Sequence, residues 1–121
     1  MTARLITVVR ADLPIGAHTP QAMHAMRTFV RAHPTIEAEH DKTSGVFAVL
    51  SIANQGELLL LMNRASDYNI AYSEFVEPDL DNAVTAATFE PSAAARWLTR
   101  HLQTLRLAAV AQSPDSLPRH I

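Results

Sequence analysis

Apolar residues fall along this chain in two patterns, continuous runs and runs spaced three and four apart. The continuous runs Leu5–Val9 (LITVV) and Val46–Ile52 (VFAVLSI) suit strands buried on both faces and predict strands over 4–10 and 46–52. Shorter runs predict a third strand over 70–76 and a fourth over 84–89. Between them, Met23, Met26 and Val30 recur at helical spacing, with Ala22 and Phe29 widening the stripe. That spacing predicts a helix over 20–31 whose methionine face packs on the sheet. Thr19 and Pro20 supply its start, an N-cap hydroxyl followed by a residue that loses no bond at the first helical position. Arg10, Asp12, Pro14 and Gly16 read as the turn before it, and His33-Pro34 as its end.

The segment 35–45 carries Glu37, Glu39, His40 and Asp41 and reads as a polar connection, either mobile or partly structured. Asn54 and Glu57 form a capping-box pattern ahead of a second helix ending near Ala65. Its Leu58–Met62 run is apolar nearly all round, which calls for deep burial or for cover by a second copy of the chain. Ser92 is positioned to cap a last helix over 93–109, with Trp97, Leu98, His101, Leu102, Leu105 and Ala109 as its stripe.

Strand–helix–strand–helix–strand order implies crossovers and parallel pairing. The short link between the third and fourth strands implies an antiparallel pair or neighbours at an edge. The expected fold is a single three-layer α/β domain over 1–111, a mixed four-stranded sheet with helices on both faces. The proline-containing stretch 112–121 is expected to be a flexible tail.

Composition narrows the function less than the fold. A hydrophobic fraction of 48% with 18% charged residues is ordinary for a globular protein. The absence of cysteine removes disulfides, thiol nucleophiles and thiolate metal sites. No run approaches the roughly 18 apolar residues of a membrane span, and the apolar run after MTAR is too short for a signal peptide. A cytoplasmic protein without membrane contact is therefore the expectation. The net charge of −2 is uneven: four arginines against one acid in 1–35, two basic groups against ten acids in 36–90, and four arginines against one acid in 91–121. If the first and last helices lay side by side, their arginines would form a positive face on an acidic protein.

Scans for familiar chemistry exclude several classes. No glycine-rich phosphate loop, no H-x-x-x-H or H-E-x-x-H pair and no G-x-S-x-G elbow occurs, so no cofactor, metal site or serine hydrolase triad is expected. What remains is the passage from the first strand into the first helix. Gln21 and His24 lie three apart on one side of that helix, facing the strand end where open α/β sheets bind ligands. His24 is also the kind of half-buried histidine that packs without doing chemistry.

The stretch Val8–Met26, with VVR-x-DL, a glycine turn and Q-x-x-H-A opening a helix, resembles the N-terminal motif of the type 2 peptidyl-tRNA hydrolases. The stretch Glu77–Pro91 (EPDLDNAVTAATFEP) resembles a shortened form of that family's aspartate loop and final strand. Together they span about a quarter of the chain, and the order of elements follows the family over nearly all of it. The resemblance implies a peptidyl-tRNA hydrolase II-like fold, a homodimer, and hydrolysis of the ester joining a peptide or N-blocked aminoacyl group to tRNA. Such a reaction needs a group to activate water, donors for an oxyanion and positive charge for phosphates.

On that reading Asp79 matches the family's aspartate and orients water, and Thr85 matches a threonine of the final strand. His18 and Arg10 stand at the phosphates, and Gln21 with His24 positions neighbouring groups. Thr19 and Asn82 add polar contacts. Each also has a plain structural role available, Asp79 in a turn and Thr85 within a strand. The chain departs from the family at the turn, where Gly16 is followed by Ala17, His18 and Thr19 in place of the lysine central to activity. Its one lysine is Lys42. A member that kept the fold as a binding or regulatory module, or a hydrolase of another acyl substrate, is the alternative.

Overall fold

The computed structural model describes residues 2–106. The expected tail over 112–121, and Ala109 of the expected last helix, lie outside them. The strands are β1 (Arg4–Arg10), β2 (Val46–Ile52), β3 (Tyr72–Glu77), β4 (Ala83–Phe89) and β5 (Gln103–Thr104), and the helices are α1 (Ile15–Ala32), α2 (Pro34–Thr43), α3 (Gln55–Asp67) and α4 (Ala93–Leu98). They form one α/β domain whose mixed sheet has the order β3-β4-β1-β2-β5. Five strands, not four, are present among the described residues. β1 pairs in parallel with β2 and antiparallel with β4, and β3 and β4 form the antiparallel edge pair expected from their short link.

Strand parity sorts the core into two layers. Ile6 and Val8 of β1, with Ala87 and Phe89 of β4, pack against Leu58, Leu61, Met62 and Ala65 of α3 and Ala95 and Leu98 of α4. On the other face Val9 and Ala86 meet Leu13 and the alanines Ala22 and Ala25 of α1. Helices thus cover both faces, with α1 alone on its side apart from α2, which follows its end.

Three sequence expectations are corrected, and one left open, the third below, is settled. First, α1 begins at Ile15 and holds Pro20 in its interior, so Thr19 is not its N-cap. The bond Pro20 cannot donate would have gone to Gly16 in the solvent-exposed first turn, where water can serve that carbonyl. Second, α1 buries His18, Gln21, Ala22, Ala25 and Phe29, while Met23 is 60% exposed. The small alanines let the helix axis approach the sheet, and the methionine row lies on the neighbouring flank. Third, the polar segment 35–45 is mostly helix: Pro34 starts α2, Glu37 sits in its first turn, and His40 and Lys42 sit in its last. Gly45, at φ +60°, ends it in the left-handed region that glycine enters without penalty.

Fourth, the last helix stops at Leu98 instead of Ala109. Ser92 does cap it, accepting from the Ala95 N–H at 3.0 Å. The chain then turns and adds β5 to β2, where the Leu105 N–H meets the Val49 carbonyl at 2.9 Å. Extended backbone sends Leu102 to the α3 layer and Leu105 to the α1 layer, whereas a helix would hold both on one stripe. The second helix behaves as expected at its start, Asn54 accepting from the Glu57 N–H at 3.0 Å. Leu58, Leu61 and Met62 are buried, and Leu59 and Leu60 stay 40% and 64% exposed.

Gly16 lies in α1 with open space around the position a Cβ would take. Gly16→Ala is expected to raise stability by about 0.5–1 kcal/mol, since it removes backbone freedom from the unfolded chain without a clash. Thermal and urea denaturation of the two proteins check this; a lower midpoint for the variant would show that the first turn of α1 needs glycine.

Candidate functional site

The most organised polar cluster sits where α1 crosses the β3–β4 pair, at the end of the sheet marked by the close of β1. Gln21, 6% exposed, joins two strands. The Thr85 hydroxyl donates to its Oε1 at 2.6 Å, and its Nε2 donates to Glu77 Oε1 at 3.0 Å. The chain of donors therefore runs from hydroxyl through amide to carboxylate, and it assigns the orientation of the amide. One Gln21 N–H and the second Glu77 oxygen have no partner among the described residues and remain for a ligand or water.

A break in the ladder aims Thr85. Phe75 pairs with Ala86 and Val76 with Val84, so Thr85 is the extra residue of a β-bulge. Strict alternation from Ala87 and Phe89 would send the Thr85 side chain to the α3 layer. The bulge turns it to the α1 side, a re-aiming that bulges commonly perform beside functional sites. Glu77 needs no such device: it follows Phe75 by two residues and shares its side of β3.

The other expected site residues are placed as follows. His24 stacks on Phe75 with ring centroids 4.6 Å apart, and its Nδ1 lies 3.4 Å from Arg27 Nη2. It flanks the cluster and packs against the sheet. His18 is 4% exposed, and its Nε2 donates to the Leu13 carbonyl at 2.8 Å. Its Nδ1 is buried without a partner among the described residues. That placement removes His18 from the phosphate-facing surface the sequence suggested, because the ring closes the turn between β1 and α1. Arg10 is engaged as well. Its Nε and Nη2 donate to the two Asp12 carboxylate oxygens at 2.9 Å each, and Nη1 donates to the Val84 carbonyl at 3.2 Å.

Asp79 lies on the exposed 3-10 turn Pro78–Leu80, with no hydrogen-bond partner for its carboxylate among the described residues. Asp81 and Asn82 take φ of 53° and 60°, left-handed conformations that Asp and Asn tolerate better than other side chains. Asn82 thus shapes the turn. Thr19 is exposed on the far flank of α1, beside Met23, Met26 and Phe47. Of the expected residues, then, the fold joins Gln21 and Thr85 directly, sets His24 beside them, and spends His18 and Arg10 on local structure.

Glu77 and Asp12 are not among the site residues expected from the sequence. Glu77 carried a readable signal, an acid closing a strand just before proline and two residues before Asp79. Asp12's carboxyl is held below its ordinary value by the hydrogen bonds from Arg10, then by that guanidinium's charge, while partial burial opposes the shift and His18 adds a small pull in the same direction as Arg10. No group of three or more metal-ligating side chains occurs among the described residues, and no described helix is long and apolar enough to cross a membrane.

No protein-family model and no curated protein matches the chain. Among solved structures it is similar to a protein of unknown function from Agrobacterium tumefaciens strain C58, with a TM-score of 0.59 and 13% identity over 88% of this chain and 99% of that one. At that identity the likeness concerns the fold alone.

Two measurements test the site's physics. Thr85→Val leaves the buried Gln21 Oε1 without its donor and is expected to cost about 1–3 kcal/mol in urea denaturation, while Thr85→Ser keeps most of the stability. Equal stability of both variants would remove the hydroxyl bond from the account. For Asp12, a lowered folded value means its contribution is present above the unfolded carboxylate value of about 3.9 and is lost as pH falls through the folded value. In a carboxylate NMR titration, Arg10→Ala is expected to move the Asp12 midpoint upward toward that unfolded value; an unmoved midpoint would refute Arg10 as its cause.

Proposed function

We propose that this protein is an ester hydrolase resembling the type 2 peptidyl-tRNA hydrolases, acting on the ester between a peptide or N-blocked aminoacyl group and tRNA. The observation that carries the reading is the Thr85–Gln21–Glu77 chain, which ends on a carboxylate beside the helix that carries the family-like Q-x-x-H-A stretch. In this reading Glu77, not Asp79, serves the water. Its outer oxygen takes a proton as the water attacks the ester carbonyl. The spare Gln21 N–H faces the developing oxyanion, and the proton returns to the ribose oxygen as the C–O bond breaks. Thr85 holds the amide in the orientation that makes both possible. The same reading includes a homodimer, for which the exposed Leu59 and Leu60 of α3 offer an apolar surface.

A second reading, a binding or regulatory module on the same fold, is favoured by a specific observation. The two cationic groups expected at the phosphates are spent, Arg10 on Asp12 and His18 on Leu13.

Release of free tRNA from purified N-acetyl-aminoacyl-tRNA separates the two. The esterase reading expects multiple turnover that falls about a hundredfold or more in Glu77→Gln, with Asp79→Ala changing it less than about threefold. Turnover absent from the folded wild-type protein would leave the module. Turnover that survives in Glu77→Gln but is lost in Asp79→Ala would return the role to Asp79.

A further inference from the structure

At the opposite end of β1 from the Gln21 cluster, a cavity of about 350 Å³ opens between β1, β2 and α4. That volume lies within the range of small-molecule pockets, on the order of 300–1,000 Å³. Its floor is aliphatic, from Ile6, Ala48 and Leu50, and Arg4, Arg96 and Arg100 line it. No carboxylate is among the lining residues, and none of the three arginines forms an ion pair among the described residues, where the Arg10–Asp12 pair is the only one. Three arginines that line one cavity carry like charges, which a bound anion would offset. Their grouping is also against the trend of a chain with net charge −2.

Two of the three arginines are held by their neighbours. Arg96 Nη1 donates to the Thr2 carbonyl at 3.2 Å, and Arg100 Nη1 donates to the Trp97 carbonyl at 2.8 Å. The Arg100 guanidinium also lies over the Trp97 ring, 4.4 Å from its centroid. A guanidinium stacked this way keeps its remaining N–H groups in one plane, ready for a forked contact. Such forks match the oxygens of a phosphoryl group. A single carboxylate would neutralise one of the three charges, whereas a phosphomonoester dianion neutralises two and has oxygens enough for several forks.

We propose that this cavity is a phosphoryl-binding site, taking the terminal phosphate of a phosphomonoester. The site is separate from the Gln21 cluster and does not rest on the esterase reading. Trp97 is the chain's one tryptophan, so its fluorescence reports on Arg100 directly.

The test is titration of the full chain with inorganic phosphate, followed by Trp97 fluorescence at constant ionic strength, with sodium chloride as the matched control. The site is expected to give a saturable change that chloride does not reproduce, weakened about tenfold or more in Arg4→Gln and in Arg100→Gln. Circular dichroism confirms that each variant is folded, and Arg4→Lys, which keeps the charge but not the fork, is expected to bind between the two. Adenosine monophosphate and a 5′-phosphorylated oligoribonucleotide, each beside its unphosphorylated form, identify the source of the group. Tighter binding of either than of phosphate assigns the ligand to mononucleotides or to nucleic-acid ends, and equal binding assigns it to the phosphoryl group alone. No saturable change up to about 10 mM phosphate, a change matched by chloride, or full binding by both glutamine variants would overturn the site.

Discussion

Burial of β1 on both faces is the constraint from which the rest of the molecule follows. Leu5 to Val9 are all under 5% exposed, so neither face of that strand can be left to solvent. A strand of this kind must be central, and it needs a helix layer on each side. α3 and α4 supply one layer and α1 the other. The two layers differ in kind: the α3 side is filled by large aliphatic residues, whereas the α1 side admits polar groups. There Thr7 and Thr88 join hydroxyls at 2.7 Å in the sheet, and Gln21 reaches in from the helix. Each buried polar atom of that chain has a partner, which is what allows polar groups at the helix–sheet interface without large cost.

The same asymmetry explains where chemistry can occur. A glutamine at 6% exposure needs partners at both ends of its amide, and the fold provides one from each strand of the β3–β4 pair. Without the bulge at Thr85, the helix would bury an unpaired carbonyl oxygen against an alternating strand. The bulge therefore solves a packing problem and builds a polar site in one move. Arg10 and His18, meanwhile, secure the passage from β1 into α1, bonded to Asp12, Val84 and Leu13 where the family resemblance implied groups at the phosphates.

Charge is redistributed by the topology in a way that chain position conceals. The arginines of the first and last helices do not share a face, because α1 and α4 pack on opposite sides of the sheet. Arg27 and Arg31 remain on the outside of α1. Arg96 and Arg100 are joined instead by Arg4, far away along the chain and adjacent in space because β1 runs beside α4.

The strands were legible from sequence because continuous apolar runs bounded by turn residues have few other uses, and β1, β2 and β4 fall where such runs occur. Local capping was legible too, at Asn54 and Ser92, since it depends on residues three apart. What sequence alone misassigned depended on distant partners. Helix α1 carries two stripes at helical spacing, and the more apolar one, with Met23, is the less buried one. Its buried stripe includes His18 and Gln21, whose partners belong to a turn and to strands more than fifty residues away. The end of α4 was set by the open edge of β2, which recruits the following residues as β5. Gln21 and Thr85 could be suspected from their motifs, but Glu77 met them only through the pairing of β3 with β4, whose bulge turns Thr85 to the same side. The sequence by itself determined a mixed α/β sheet built on β1, through local patterns of burial and capping. The tertiary structure decided which face of α1 is inside and which polar groups meet, because those choices are made by hydrogen-bond partners that no local window contains.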